Sequence, residues 1–428
     1  MIVLAGAKCG DGAEPPRTGT EPGDMAVAES LATSPALHAW PAEAGSKPVI
    51  LYVDRSGSMR GFLDPEYHTR VRTDYRSVID GLVVGLKPDS AFGFGTRITS
   101  ISPSLGTLGD RTVYSDNNTE LESALDLIAL DIGLGKSHVL VGDGRRSNPN
   151  AANEQYVRIR TLADTWVRSG GTFMVAASLA PFRPVPDDPS GCRRAGNGEE
   201  EENEDNPEEA GEHGTCPLYA FAFVAPGEQT RIASVLGDRF QHLFVWPVPA
   251  VPSAGTVAAA EGAASDVQFE RAWSRAADGT PILRTRGPQF SNRPLRIRLA
   301  LKDTTSPAGV AANAALRGQG LRSDLSVKPL DGAGRDWGSS AAQGGLLRQV
   351  PGEPLAFEAL TRGADQPRYL YRIELYPNGV PGWLDEFDAE NAGDALRTYG
   401  LGRLFELFRT RGGQPGVPPA ARVYVVAN

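Results

Sequence analysis

An acid, two serines and a glycine follow directly on a short apolar run near residue 50, and this junction constrains the fold most. The run Val49–Val53 is rich in β-branched residues and is preceded by Pro48, which predicts a buried strand. The segment Asp54–Met59, with the sequence DRSGSM, comes next. Because ligands bind at the carboxyl ends of strands in open α/β sheets, this junction predicts a site built from hard oxygen ligands.

Two later segments offer the same residue types. Thr119 follows the polar run Ser115–Asn118 and precedes apolar positions at helical spacing, which predicts a loop that enters a helix. The segment Ser137–Gly142 predicts another strand, and Asp143 follows it. One carboxylate and two hydroxyls cannot saturate a divalent cation, so the first segment needs ligands such as these from elsewhere.

Together the three segments resemble the metal-ion-dependent adhesion site of von Willebrand factor A domains. In that family Asp-x-Ser-x-Ser is followed by a Thr and then by an Asp, and the match covers residues 47–247. The resemblance implies a doubly wound, Rossmann-like α/β domain that holds Mg²⁺ or another divalent cation such as Mn²⁺ or Ca²⁺. The implied ligands are Asp54, Ser56, Ser58, Thr119 and Asp143. Taken alone, Asp-x-Ser-x-Ser is also typical of a turn in which Asp and Ser bond local backbone groups.

The resemblance also implies a function, because a carboxylate from an Asp or Glu of a protein partner completes the metal site in this family. We therefore expect a non-enzymatic, Mg²⁺-dependent adhesion or assembly module. The residues expected at the partner-binding rim are Arg60, Phe62, Tyr67 and Arg145. The alternatives are that Phe62 and Tyr67 pack into the small core of their own loop and that Arg145 is an ordinary surface charge.

Two other functions stay open at the level of the sequence. One is an intracellular A-domain subunit that assists an ATPase or a modification complex. The other is a hydrolase that uses a metal between Asp54 and Asp143, although two acids with three hydroxyls are more typical of a docking site than of a water-activating one. The five histidines form no spaced metal-binding pair, and no phosphate-binding glycine loop with a Lys occurs. We therefore expect no enzymatic activity.

Residues 1–46 predict a truncated export signal and a flexible tether rich in Pro, Gly, Ala and Glu. Cys9 would be the site of an N-terminal lipid anchor. An acidic insertion spans residues 181–217, and a disulfide between Cys192 and Cys216 would close its neck, which requires an oxidising compartment. The alternative is two unrelated thiols. We expect an extracytoplasmic protein, either periplasmic or at the cell surface, with the cytoplasm as the alternative location.

The net charge and the hydropathy of the chain limit the classes of partner that it is expected to bind. The formal net charge of −9 disfavours nucleic-acid binding, which needs a basic face. No apolar run approaches the roughly 20 residues that span a bilayer, so membrane contact is expected only through the lipid anchor.

The chain changes character after residue 247. Apolar and polar residues alternate in Leu295–Lys302 and Tyr369–Tyr376, which is typical of half-buried antiparallel strands. For residues 248–428 we expect an antiparallel β-sandwich domain, with an immunoglobulin-like arrangement as one form of it. One helix, Asp394–Thr410, is expected to cap an end of this sandwich.

Overall fold

The computed structural model describes most of the first 250 residues and separate segments of the remainder. The described residues are 37, 39–42, 45–63, 74–144, 152–183, 214–250, 253–259, 274–275, 280–285, 294–301, 309–310, 321–329, 338–339, 346–350, 353–360, 369–377, 379–389, 398–409 and 419–427.

Seven strands of the N-terminal part form one mixed sheet. They are β1 (Val49–Asp54), β2 (Ser90–Phe94), β3 (Thr99–Ile101), β4 (Ser137–Gly142), β5 (Thr172–Phe182), β6 (Gly214–Val224) and β7 (His242–Trp246). Their order is β3-β2-β1-β4-β6-β5-β7. β1 is parallel to β2 and to β4, whereas β6 is antiparallel to β4 and β5, and β7 is antiparallel to β5. The predicted α/β class is confirmed.

Helices cover both faces of this sheet. They are α1 (Tyr75–Leu86), α2 (Leu105–Leu108), α3 (Leu121–Leu130), α4 (Ala152–Arg168), α5 (Gln229–Arg239) and α6 (Leu401–Phe408), with 3₁₀ helices at Gly57–Leu63, Arg111–Val113 and Leu384–Glu386. One apolar cluster lies between the sheet and α1 and α5, and a second lies between the opposite face and α3, α4 and α6. Among the described residues, no helix is both long enough and apolar enough to cross a membrane.

The strand β6 lies inside the sheet, between β4 and β5. Leu218 and Val224 point into one apolar cluster, while Tyr219 and Phe223 point into the other. A strand buried on both faces reads as a continuous apolar run, which fits a central position under helices on both sides.

Two further sheets form the C-terminal part. Their strands are β8 (Ser253–Ala259), β9 (Ser274–Arg275), β10 (Pro281–Thr285), β11 (Pro294–Leu301), β12 (Leu321–Pro329), β13 (Gly338–Ser339), β14 (Leu346–Val350), β15 (Glu353–Leu360), β16 (Tyr369–Pro377) and β19 (Ala421–Ala427), while β17 (Asp388–Ala389) and β18 (Thr398–Tyr399) form a separate parallel pair. The orders are β13-β12-β16-β19-β10-β9 and β14-β15-β11-β8. Except for the parallel pair β10 and β19, the strands within these two sheets pair antiparallel. The β-sandwich itself stays a prediction.

The helix of the C-terminal part differs from its expected position. It begins at Leu401 rather than at Asp394, and it packs on the seven-stranded sheet. The ring of Phe408 stacks on Phe173 of β5 with a centroid distance of 5.3 Å and lies 5.5 Å from Phe244 of β7. The expectation that this helix caps the sandwich is therefore wrong. We call residues 379–389 and 398–409 the C-terminal strap.

The strap joins the two parts of the chain. It leaves β16 and returns to β19, which are neighbouring antiparallel strands of the six-stranded sheet, with Leu375 opposite Ala421. Between these strands the chain contributes Trp383, Phe387 and α6 to the second apolar cluster of the N-terminal sheet. The N-terminal core therefore includes residues far beyond the predicted domain boundary at 247.

Candidate metal centre

The candidate site lies at the carboxyl ends of the parallel strands β1 and β4. Asp54 is the last residue of β1, and Asp143 directly follows β4. The pairing of Val53 with Val141 brings these strand ends level with each other. The edge of the sheet predicted from the sequence is therefore the one at which both acids lie.

Hydrogen bonds join the five predicted ligand residues into one chain of contacts. Thr119 Oγ1 lies 3.4 Å from Asp54 Oδ2, and the Ser56 backbone N–H donates to Asp54 Oδ1 at 2.8 Å. The hydroxyls of Ser56 and Ser58 are 3.0 Å apart, and Ser58 Oγ donates to Asp143 Oδ2 at 2.7 Å. Three segments far apart in the sequence therefore bring two carboxylates and three hydroxyls together.

Backbone pairing fixes the loop of Thr119 against the loop of the serines. Ser56 and Asp116 form an isolated parallel bridge, in which the Gly57 N–H donates to the Asp116 carbonyl at 2.9 Å. The Asp116 N–H in turn donates to the Arg55 carbonyl at 3.0 Å. The Glu120 N–H donates to the Gly95 carbonyl at 3.1 Å, which holds the residue after Thr119 near the end of β2.

Gly142 provides the space for Asp54. A Cβ atom on Gly142 would lie 3.0 Å from the Asp54 Cβ and 3.2 Å from its Oδ2. Gly142 and Asp116 support the site, and neither role was predicted from the sequence. A glycine at the last position of a buried strand is the signal that could have identified Gly142, because such a glycine often marks a close approach of neighbouring groups.

The burial of two neighbouring acids makes it costly for both of them to carry a negative charge. Asp54 and Asp143 are each 1% exposed. Burial, followed by the nearby negative charge of Asp143, raises the pKa of Asp54 to about 8. The closest basic residue along the chain, Arg55, donates from Nε to the Val113 carbonyl and lies 3.9 Å from Asp116. The site therefore suits an added positive charge.

The donor set fits Mg²⁺, which prefers oxygen ligands and retains several waters. Asp54, Ser56, Ser58, Thr119 and Asp143 would supply the protein oxygens. Within the described residues, no group of three or more His, Cys, Asp and Glu side chains that could hold a metal ion occurs.

The predicted rim is only partly described. Phe62 is 2% exposed and packs edge-on against Phe182 with a centroid distance of 4.9 Å, so its expected role as an exposed partner contact is wrong. An apolar side chain next to a core gains more from burial than from a place at the rim. Arg60 is half-buried and donates from Nε to the Tyr114 carbonyl. Tyr67 and Arg145 lie outside the described residues.

One of the two cysteines of the predicted disulfide, Cys216, lies in the described part of the chain. Cys216 is fully buried in β6 and disulfide-bonded. Its predicted partner, Cys192, lies outside the described residues, as do Cys9 and most of the acidic insertion. The pairing of Cys192 with Cys216 therefore stays a prediction.

Comparison with known proteins adds no relative. No protein-family model, no curated protein and no solved structure matches this chain. The resemblance to A domains therefore depends on the five ligand residues and on the two strand ends that bring them together.

Proposed function

We propose that the chain is a cation-dependent protein-binding module of the von Willebrand factor A type. The observation that carries this proposal is the continuous chain of contacts from Thr119 through Asp54, Ser56 and Ser58 to Asp143. A bound Mg²⁺ would offer a coordination position to a carboxylate from an Asp or Glu of the partner. The two buried acids and the three hydroxyls would hold the ion.

The arrangement of the sheet supports the same proposal. The acids lie at the carboxyl ends of two adjacent parallel strands, and this is the edge at which open α/β sheets bind ligands. Because β6 is antiparallel, the sheet is not fully parallel. However, β6 lies on the far side of β4 from β1, so β1 and β4 are still direct neighbours.

The disulfide bond of Cys216 supports an extracytoplasmic location, because such bonds persist in oxidising compartments. A module outside the cytoplasm fits adhesion or assembly better than it fits service to an intracellular ATPase. Cys9 lies outside the described part of the chain. A lipid anchor at this residue stays part of the proposal.

The proposal is tested first with the ion alone. Isothermal titration calorimetry with Mg²⁺ and with Mn²⁺ should show one site in the wild-type chain. Asp54→Asn should weaken binding by roughly 100-fold or more, because it removes a charged ligand. Asp164→Asn is the matched control, since the half-buried Asp164 lies on α4 and pairs with Arg160 of the same helix. Absence of binding to the wild-type chain would refute the proposal.

A second test addresses the partner. Proteins captured from an extract by the immobilised chain should be released by EDTA and should not be captured by Asp54→Asn. Circular dichroism checks that Asp54→Asn folds in EDTA. We expect at least the wild-type stability there, because Asn keeps the shape of Asp54 and cannot carry a charge beside the buried Asp143. A partner that binds equally well with and without Mg²⁺ would contradict the proposed role of the ion.

A further inference from the structure

The C-terminal strap reaches the candidate metal centre at one point. The hydroxyl of Thr398, in β18, lies 2.8 Å from the hydroxyl of Tyr219, in β6. Both residues are buried, with 4% and 0% of their surface exposed. Tyr219 is paired across the sheet with Gly142, the residue directly before Asp143. The strap therefore bonds to the strand that neighbours the second acid of the site.

The residue after Asp143 packs on the same pair. Gly144 has a φ of +68°, and a Cβ placed on it would lie 2.7 Å from Tyr219 Cε2 and 3.4 Å from Thr398 Cγ2. The backbone after Asp143 therefore passes close to the edge of the Tyr219 ring and to the Thr398 methyl group. A glycine is needed here both for the backbone conformation and for this close approach.

The strap and the ligand residues also line one small pocket. Asp54, Thr119 and Gly144 contribute to its wall together with Thr398 and Leu401 of the strap. Leu401 is 1% exposed and begins α6, whose apolar face is fixed on the sheet. One side of the site is thus closed by residues that enter the fold more than 250 positions after Asp143 along the sequence.

We propose that Tyr219 and Thr398 are positioning residues of the cation site. Their shared hydrogen bond and their contact with Gly144 hold the segment Asp143–Gly144, so that Asp143 keeps its place opposite Ser58 and Asp54. The affinity for the cation therefore depends on the C-terminal strap as well as on the five ligand residues. This inference rests on the proposed function, because it concerns the same site.

The test is isothermal titration calorimetry of Mg²⁺ alone into the full chain. Thr398→Val keeps the shape of the side chain and removes the hydroxyl, and Tyr219→Phe removes the other partner of the same bond. Each should weaken Mg²⁺ binding by about tenfold, as loss of groups that orient metal ligands does. The double variant should lose no more than either single variant, since both changes break one bond.

Two controls separate positioning from general stability. Thr398→Ser keeps the hydroxyl and should bind Mg²⁺ more tightly than Thr398→Val does. Thr161→Val removes a hydroxyl that bonds the Val157 carbonyl on the exposed side of α4, and it should leave the affinity unchanged. The titrations are run at 25 °C, and circular dichroism checks that each variant is folded. A lower affinity then reflects a change at the site and not unfolding of the chain.

The outcomes distinguish the two proposals. If the wild-type chain binds no Mg²⁺, the proposed function fails and this inference fails with it. If the wild-type chain binds Mg²⁺ and both Thr398→Val and Tyr219→Phe bind within twofold of it, the positioning inference is overturned while the proposed function stands. Equal loss in Thr398→Ser and Thr398→Val would also overturn the role of the hydrogen bond.

Discussion

Replacing Phe408 tests whether the C-terminal strap belongs to the N-terminal core. The Phe408 ring is 1% exposed and lies 5.3 Å from Phe173, 5.5 Å from Phe244 and 5.6 Å from Trp246, measured between ring centroids. The Arg160 guanidinium lies over the ring, 4.3 Å from its centroid. Phe408→Ala should therefore lower the free energy of unfolding by about 3–5 kcal/mol, in the range for a buried aromatic residue.

Hydrogen exchange read by mass spectrometry locates this loss. Faster exchange is expected in β5 and β7, which pack under α6, although both strands precede Phe408 by more than 150 residues. A loss of 1 kcal/mol lowers the melting temperature of a domain of this size by about 2–4 °C. The melting temperature of the part that contains the seven-stranded sheet should therefore fall by roughly 6–20 °C. Leu407→Ala is the matched control, because Leu407 is 40% exposed on the same helix and should cost at most about 0.5 kcal/mol. Unchanged exchange in β5 and β7 in Phe408→Ala would refute the packing argument.

Three further predictions concern the sheet and its site. Gly142→Ala should weaken Mg²⁺ binding by about tenfold in calorimetry, because its Cβ would lie 3.0 Å from the Asp54 Cβ and 3.2 Å from Oδ2, so that the Asp54 side chain must shift slightly. Gly237→Ala, whose Cβ would meet no atom within 4 Å, should not weaken it. Reduction of the Cys216 disulfide should lower the free energy of unfolding by about 2–4 kcal/mol, and equal melting curves with and without reductant would contradict this. Burial lowers the pKa of His138 to about 4, against an attraction from Asp131 that raises it. Since an unfolded His titrates near 6.5, the unfolded state binds more protons between these values, and stability should fall by roughly 2–3 kcal/mol from pH 7 to pH 4.5. Urea unfolding of wild type and His138→Gln at both pH values checks this, and an equal fall in the two proteins would exclude His138 as its cause.

Residues close in sequence to a strand end were predictable, because local patterns determine them. The apolar run of β1 identifies a buried strand, and Asp54 follows it whatever lies beside it in the sheet. Asp143 follows β4 in the same way. Their approach to each other also needs the two strands to be parallel neighbours, and the pairing of β1 with β4 shows that they are.

Pairing and packing between distant segments were not predictable from the same patterns. The periodicity of α6 shows that Leu404, Phe405 and Phe408 share a buried face, but it does not show which sheet that face covers. The apolar run of β6 is equally compatible with the edge and with the centre of a sheet. For Phe62, composition alone could not decide between a place at the rim and a place in the core.

Two buried acids, Asp54 and Asp143, lie close together at this edge of the sheet. A core built for stability alone would not keep Asp54 and Asp143 buried side by side, because each charge is costly away from water and each repels the other. Hydrogen bonds from Ser56 and Ser58 hold the carboxyl groups in place, but burial beside Asp143 still disfavours the charged form of Asp54 and raises its pKa. Arg55, the basic residue next to Asp54, bonds elsewhere. Departures from local stability of this kind are expected at functional sites, and here a divalent cation is the group that would reverse the cost.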